Sequence, residues 1–84
     1  MKLEPLAIKI LSSLIFEETF EHILEDAGNI DRNIVSDVLR ILVVKDLVRV
    51  YEKREDKFIP VAYIEPDTYA GQYFRITAKG MKYL

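Results

Sequence analysis

The chain has no cysteine and no tryptophan, one histidine, three glycines and three prolines in 84 residues. Without cysteine there is neither a disulfide framework nor a thiolate metal site. His22 alone does not build a histidine-based metal centre without carboxylate help. No apolar run reaches the roughly 18 residues of a spanning helix, so no membrane partner is expected. There is no glycine-rich phosphate loop, no HExxH pattern and no GxSxG elbow. Internal repeats, low-complexity tracts and linkers are also missing. Carboxylates are plentiful, but they fall among polar neighbours on expected solvent faces, as solvated charge runs do. Nothing here gives a positive reason to read an enzyme, a cofactor or a metal. The lack of cysteine and tryptophan, beside abundant Ile, Val, Glu and Lys, fits a thermophile.

What is present suffices for folding. Half of the residues are apolar, which argues against disorder. The length suits a single domain over 1–84 with a modest core that is either efficient or shared with a partner. The apolar N-terminal stretch is interrupted by Glu4-Pro5, and no small-residue cleavage site follows, so a mature cytoplasmic protein is expected. The net charge of −2 is unevenly spread. Residues 1–28 carry two Lys against six Asp/Glu, whereas residues 29–84 carry ten Lys/Arg against eight Asp/Glu. Only a slight basic excess is thus available for phosphates, and affinity scales with the charges neutralised.

The stretch Ile30 to Val48 organises the rest. Asp31 is placed to cap a helix, with Ile30 and Val35 as a hydrophobic staple but no capping box, since Ile34 occupies the N3 position. Val35, Val38, Leu39 and Leu42 recur at helical spacing on one face, and Asn33, Ser36, Asp37 and Arg40 lie opposite. The helix should end near Lys45–Asp46, with Leu47-Val48 entering a strand.

Upstream, Pro5 suits a first helical turn. Leu6, Ala7, Ile10, Leu11, Leu14 and Ile15 then make a helix that is apolar on more than one side. It lies either centrally in the monomer or against a second copy. Phe16-Glu17-Glu18 reads as a connection and Thr19 as the cap of a second helix. Phe20, Ile23, Leu24 and Ala27 form its apolar stripe, His22 sits exposed, and Gly28-Asn29 ends it. Downstream, Val48–Glu52 and Tyr73–Thr77 alternate like half-buried strands, pairing antiparallel with Val48, Val50, Phe74 and Ile76 inward. Lys53–Gln72 is long for a hairpin connection, and Pro60 bars a regular central strand there. An extra edge strand is expected near Ala62–Glu65. Thr77 should cap a last short helix ending at Leu84, which Gly80 weakens by about 1 kcal/mol relative to alanine.

Two segments resemble the winged-helix families of bacterial and archaeal transcription regulators called MarR, ArsR and PadR. The first is Ile34-Val35-Ser36-Asp37-Val38-Leu39-Arg40-Ile41-Leu42 followed by Leu47-Val48, with Asp46 where those families commonly have glycine. The second is Tyr73-Phe74-Arg75-Ile76-Thr77-Ala78-Lys79-Gly80-Met81-Lys82-Tyr83-Leu84, similar to their "Y-x-I-T-x-K-G" wing exit and final helix. The resemblance implies an α+β winged helix-turn-helix fold, with three helices, a β-hairpin wing and a short C-terminal helix. It also implies double-stranded DNA as partner, with helix 3 (about residues 32–45) in the major groove and the wing on phosphates. Arg32, Asn33, Ser36 and Arg40 become the base-reading candidates, and Lys53, Arg54 and Lys57 the wing contacts. Asp31, Asp37, Glu55 and Asp56 depart from that chemistry, because carboxylates repel phosphate.

The leading expectation is therefore a DNA-binding transcriptional regulator, homodimeric through helix 1. The alternative is a winged-helix module for protein interaction without specific DNA binding. Its motivation is the acidic total, Asp37, and apolar Val44, Ile34 and Ile41 on helix 3. A more distant reading has Tyr51, Phe58, Tyr63, Tyr69 and Tyr73 lining a small-molecule pocket. Aromatics at such spacing are more often packing residues.

Overall fold

In the computed structural model, which describes residues 3–61 and 71–84, the chain is α+β: four helices and a four-stranded antiparallel sheet. Helix α1 (Pro5–Ser13) starts on proline, where the missing N–H has no intrahelical partner to lose. It buries Ala7, Ile10 and Leu11. The hydroxyls of Ser12 and Ser13 donate back to the carbonyls of Lys9 (2.8 Å) and Ile10 (2.7 Å), local bonds that compete with helix continuation. Leu14 caps the helix and is fully buried, whereas Ile15, expected on the same apolar face, lies beyond the helix and is exposed.

The segment read as a plain connection contains a short strand, β1 (Glu18–Thr19), so that expectation is corrected. Helix α2 (Phe20–Ala27) follows at once, its first turn capped by the Thr19 hydroxyl accepting from the His22 N–H at 3.2 Å. Gly28 ends it at φ 84°, a conformation that glycine adopts without steric penalty. Helix α3 (Arg32–Val44) is capped by the Asp31 carboxylate, which accepts from the Asn33 N–H at 2.7 Å.

The end of α3 is a Schellman turn. The Asp46 N–H donates to Val43 O (3.0 Å) and the Leu47 N–H to Leu42 O (2.9 Å), with Asp46 at φ 60°. Leu42 and Leu47, the apolar pair that accompanies this turn, are both buried. Aspartate tolerates the left-handed conformation better than bulkier residues, so the turn forms without glycine. It sends the chain straight into strand β2 (Val48–Arg54).

Strand β2 turns back into β3 (Lys57–Val61) through Glu55-Asp56, at φ 50° and 64°, the signature of a two-residue type I′ turn. The expected long connection is thus interrupted by a tight hairpin, and the additional strand lies at Lys57–Val61. The position expected for it, Ala62–Glu65, falls outside the described residues. Pro60 sits opposite Tyr51 in this strand, at the sheet edge where its missing N–H removes no ladder bond. Strand β4 (Gln72–Ile76) enters between β1 and β2, giving the order β1-β4-β2-β3. Val48↔Ile76 and Val50↔Phe74 pair as expected and face the helices, all four buried.

Helix α4 (Ala78–Met81) is shorter than the expected run to Leu84 and is capped by Thr77, whose hydroxyl accepts from the Gly80 N–H at 3.0 Å. Gly80 has a packing reason that outweighs its low helix propensity. A Cβ there would overlap the Leu47 carbonyl oxygen and lie 2.7 Å from Ile76 Cγ1. Between the helices and the sheet, Leu11, Leu14, Phe20, Ile23, Val35, Leu39, Leu47 and Phe74 form one nearly solvent-free core. The element order and sheet are compatible with a winged-helix-like fold.

Candidate nucleic-acid interface

Most cations of the C-terminal two thirds lie on the solvent side of α3 and on the β-sheet with its hairpin, with Lys79 and Lys82 on and after α4. On α3, Arg32 is held at the first turn. Its Nη1 lies 3.3 Å from Glu21 Oε1, and its guanidinium stands 4.9 Å from the centre of the Phe20 ring. Both contacts draw the side chain toward α2. Asn33 is exposed, with its backbone N–H engaged by Asp31. Ser36 is half-buried at the edge of the face. Arg40 is exposed and 4.0 Å from Asp37 Oδ1. In helical projection the centre of the solvent side is formed by Asn33, Asp37, Arg40 and Val44, while Ile34 and Ile41, 51% and 53% exposed, border it on one side. The expected base-reading residues Asn33 and Arg40 therefore share that centre with a carboxylate and with Val44, which is 81% exposed.

On the hairpin, strand alternation separates the three expected phosphate contacts. Arg54 and Lys57 form a cross-strand pair on one face, where Arg54 Nη2 also meets Glu52 Oε2 at 2.9 Å. Lys53 lies on the other face, its Nζ 5.8 Å from the centre of the Phe58 ring. All three are exposed and close to the turn, but no flat surface touches all of them at once.

A third group lies on the outer face of the sheet. With Val48, Val50, Phe74 and Ile76 inward, Arg49 and Arg75, which carry no expectation from sequence, fall on the opposite face beside Tyr51 and Tyr73. Arg49 stands directly across from Arg75, and Tyr51 from Tyr73. A cleft of about 420 Å³ opens beside them, lined by Arg49, Tyr51, Arg75, Thr77, Lys79 and Asp46 among others. Arg75 Nη1 meets Glu17 Oε1 at 2.9 Å, and Arg49 Nη2 lies 3.9 Å from Asp46 Oδ1. The alternation that revealed the buried positions was the available signal for these residues too.

Of the five aromatics weighed as a pocket, Phe58 and Tyr73 meet edge to face, with ring centres 5.1 Å apart and planes at 74°. Tyr51 is half-buried between Tyr73 and Pro60 in the register, while Tyr63 and Tyr69 lie outside the described residues. A separate apolar cleft of about 180 Å³ lies between the start of α1 and the C-terminal half of α3, lined by Leu3, Ala7, Val38, Ile41 and Leu42 with Glu4 and Lys45 at its rim. His22 is exposed on α2, bonded through Nδ1 to Glu18 and 3.8 Å from Asp26 through Nε2. That bond to Glu18, and then the negative charge of Glu18 itself, raise its pKa above the ordinary 6.5. Among the described residues no group of three metal-ligating side chains converges, and no helix is long and apolar enough to cross a membrane. No family model, curated protein or solved structure matches the chain.

Proposed function

We propose that this chain is a winged-helix protein that binds duplex DNA, a transcriptional regulator working in the cytoplasm. Helix α3 would lie in the major groove and the β2–β3 hairpin would form the wing. One observation carries this reading: a helix-turn-helix pair, α2 and α3, whose second member passes through a Schellman turn into a hairpin tipped with Lys53, Arg54 and Lys57. Arg32, Asn33, Ser36 and Arg40 supply guanine-, adenine- and phosphate-compatible groups, and Ile34, Ile41 and Val44 suit thymine methyls. Asp37 would accept from cytosine or disfavour close phosphates, which narrows the sites that fit. Binding should be weak on random sequence, since the basic excess after residue 28 is slight and Arg32, Arg40 and Arg54 each lie beside a carboxylate. Selection of bound sequences from random duplexes, followed by gel-shift titration at two salt concentrations, tests the proposal. Recovery of a palindromic motif with salt-sensitive affinity supports it, together with a homodimer through α1. Absence of binding at low salt refutes it.

A second reading is a protein-interaction module, favoured by exposed Ile34, Ile41 and Val44 and their continuity with the apolar cleft at Ala7, Val38 and Ile41. The mass in solution separates the two. A concentration-dependent mass that Val44→Ser abolishes, without DNA binding, favours this second reading.

A further inference from the structure

We propose that the outer face of the sheet binds single-stranded nucleic acid, with phosphates in the cleft at Arg49, Arg75 and Lys79 and bases stacked on Tyr51 and Tyr73. This surface is separate from α3 and takes a different form of nucleic acid from the function proposed above. Arg49 and Arg75 are direct cross-strand neighbours, and like charges in that position destabilise a sheet. Lys79 lines the same cleft, so among the described residues three cations converge where two carboxylates, Asp46 and Glu17, offset them. The surplus of these described groups is positive, in a cleft of about 420 Å³ that is open to solvent.

The next level along the strands is aromatic. Two residues of strand advance the chain by about 7 Å, from the Arg49↔Arg75 pair to the Tyr51↔Tyr73 pair. One further level brings Lys53, beside the Phe58 ring. Cations and aromatic rings thus alternate along one face of the sheet, where Tyr73 also meets Phe58 edge to face. Single strands bind to that combination: the backbone tracks the charge, and every unpaired base has a face to stack. A duplex presents no free base faces to the tyrosine level. An acidic peptide would use the cations but not the tyrosine level.

The test is fluorescence anisotropy on the full chain with labelled oligouridine and oligothymidine of about 12 nucleotides, at about 50 and 200 mM salt. Binding that weakens with salt is expected. The double variant Arg49→Gln/Lys79→Gln should weaken it at least about tenfold, and Tyr51→Leu about fivefold or more. Arg49→Lys, which keeps the charge, should retain most of the affinity and controls for folding. Arg40→Ala should leave it unchanged, which keeps this inference distinct from duplex binding by α3. The proposal falls if folded protein binds no single strand at low salt. It also falls if Tyr51→Leu binds as wild type, which would mark a polyanion site indifferent to bases, or if Arg40→Ala removes the binding.

Discussion

Helix α3 and the sheet both bury apolar inner sides, the sheet's with Gln72 at one end, yet their solvent sides differ in chemistry. The solvent side of α3 mixes Asn33, Asp37 and Arg40 with exposed Val44 and is bordered by Ile34 and Ile41, with Arg32 drawn toward α2 and Arg40 beside Asp37. The outer sheet face centres on Arg49, Arg75, Tyr51 and Tyr73. The element in the position of a recognition helix is the less charged of the two, and the element expected only to support a wing carries the convergent cations. Position within a fold and chemistry of a surface are separate pieces of information, and a reading of function needs both.

The most severe way to break the comparison is to remove what both surfaces rest on. Leu39→Ala beneath α3 and Phe74→Ala beneath the sheet should each destabilise the protein by about 2–5 kcal/mol, because both side chains are fully enclosed. Urea unfolding monitored by circular dichroism measures this, and similar losses would show that the two elements share one core. Gly80→Ala should follow at about 1–3 kcal/mol, since the added methyl group meets backbone at Leu47 rather than a yielding side chain. Thermal melting would show it, and an unchanged midpoint would contradict the close approach.

Smaller effects sharpen the contrast on the solvent side. Arg40→Ala should cost about 1–3 kcal/mol of duplex affinity and relax preference at one base position, whereas Lys53→Ala should weaken all sequences alike and lower the salt slope. Gel shifts against matched and mismatched duplexes separate the two outcomes. Val44→Ser should change stability by less than about 0.5 kcal/mol, as expected of a surface substitution, so any change in mass or binding reports on contact rather than on folding. The slightest effect concerns His22. Its pKa is raised in the folded state, so its contribution is fully present below the ordinary 6.5 and is lost as pH rises through the folded value. Proton NMR should place its titration midpoint above 6.5, and Glu18→Gln should move it back down.

Legibility in the sequence followed the range of the interactions. Thr19, Asp31 and Thr77 act within three residues of themselves, and each caps the helix it was expected to cap. The alternation at Val48, Val50, Phe74 and Ile76 is likewise local, and all four are buried. Strand β1 is only two residues long and exists because β4 lies beside it, with Arg75 and Glu17 bonded across 58 positions. Nothing near Glu18 signals such a strand. The hairpin was hidden for another reason: its turn is Glu55-Asp56 rather than an Asn-Gly or Asp-Gly pair, so the usual punctuation is absent. Gly80 looked like a weakness because its partner, the Leu47 carbonyl, belongs to a distant turn. At the candidate site, the division of Lys53 from Arg54 and Lys57 was implicit in strand alternation, but only once β2 was known to reach Arg54.

The C-terminal turn is also a late event. The Thr77 N–H donates to Leu47 O (3.0 Å), its hydroxyl donates to Asp46 O (2.7 Å), and the Ile76 N–H donates to Leu14 O (2.8 Å). Strand β4 moreover occupies the middle of the sheet, between β1 and β2. Before Gln72–Gly80 docks, α1, α2, α3 and the β2–β3 hairpin leave the edge of β2 facing an empty slot. That edge and the carbonyls of Leu14, Asp46 and Leu47 keep water as their partner until Gln72–Gly80 arrives. Such non-local closure is slow, because loop entropy is lost before contacts form. An intermediate in which Gln72–Ile76 has not yet docked exposes the unpaired edge of β2, the form most prone to pairing with a neighbour.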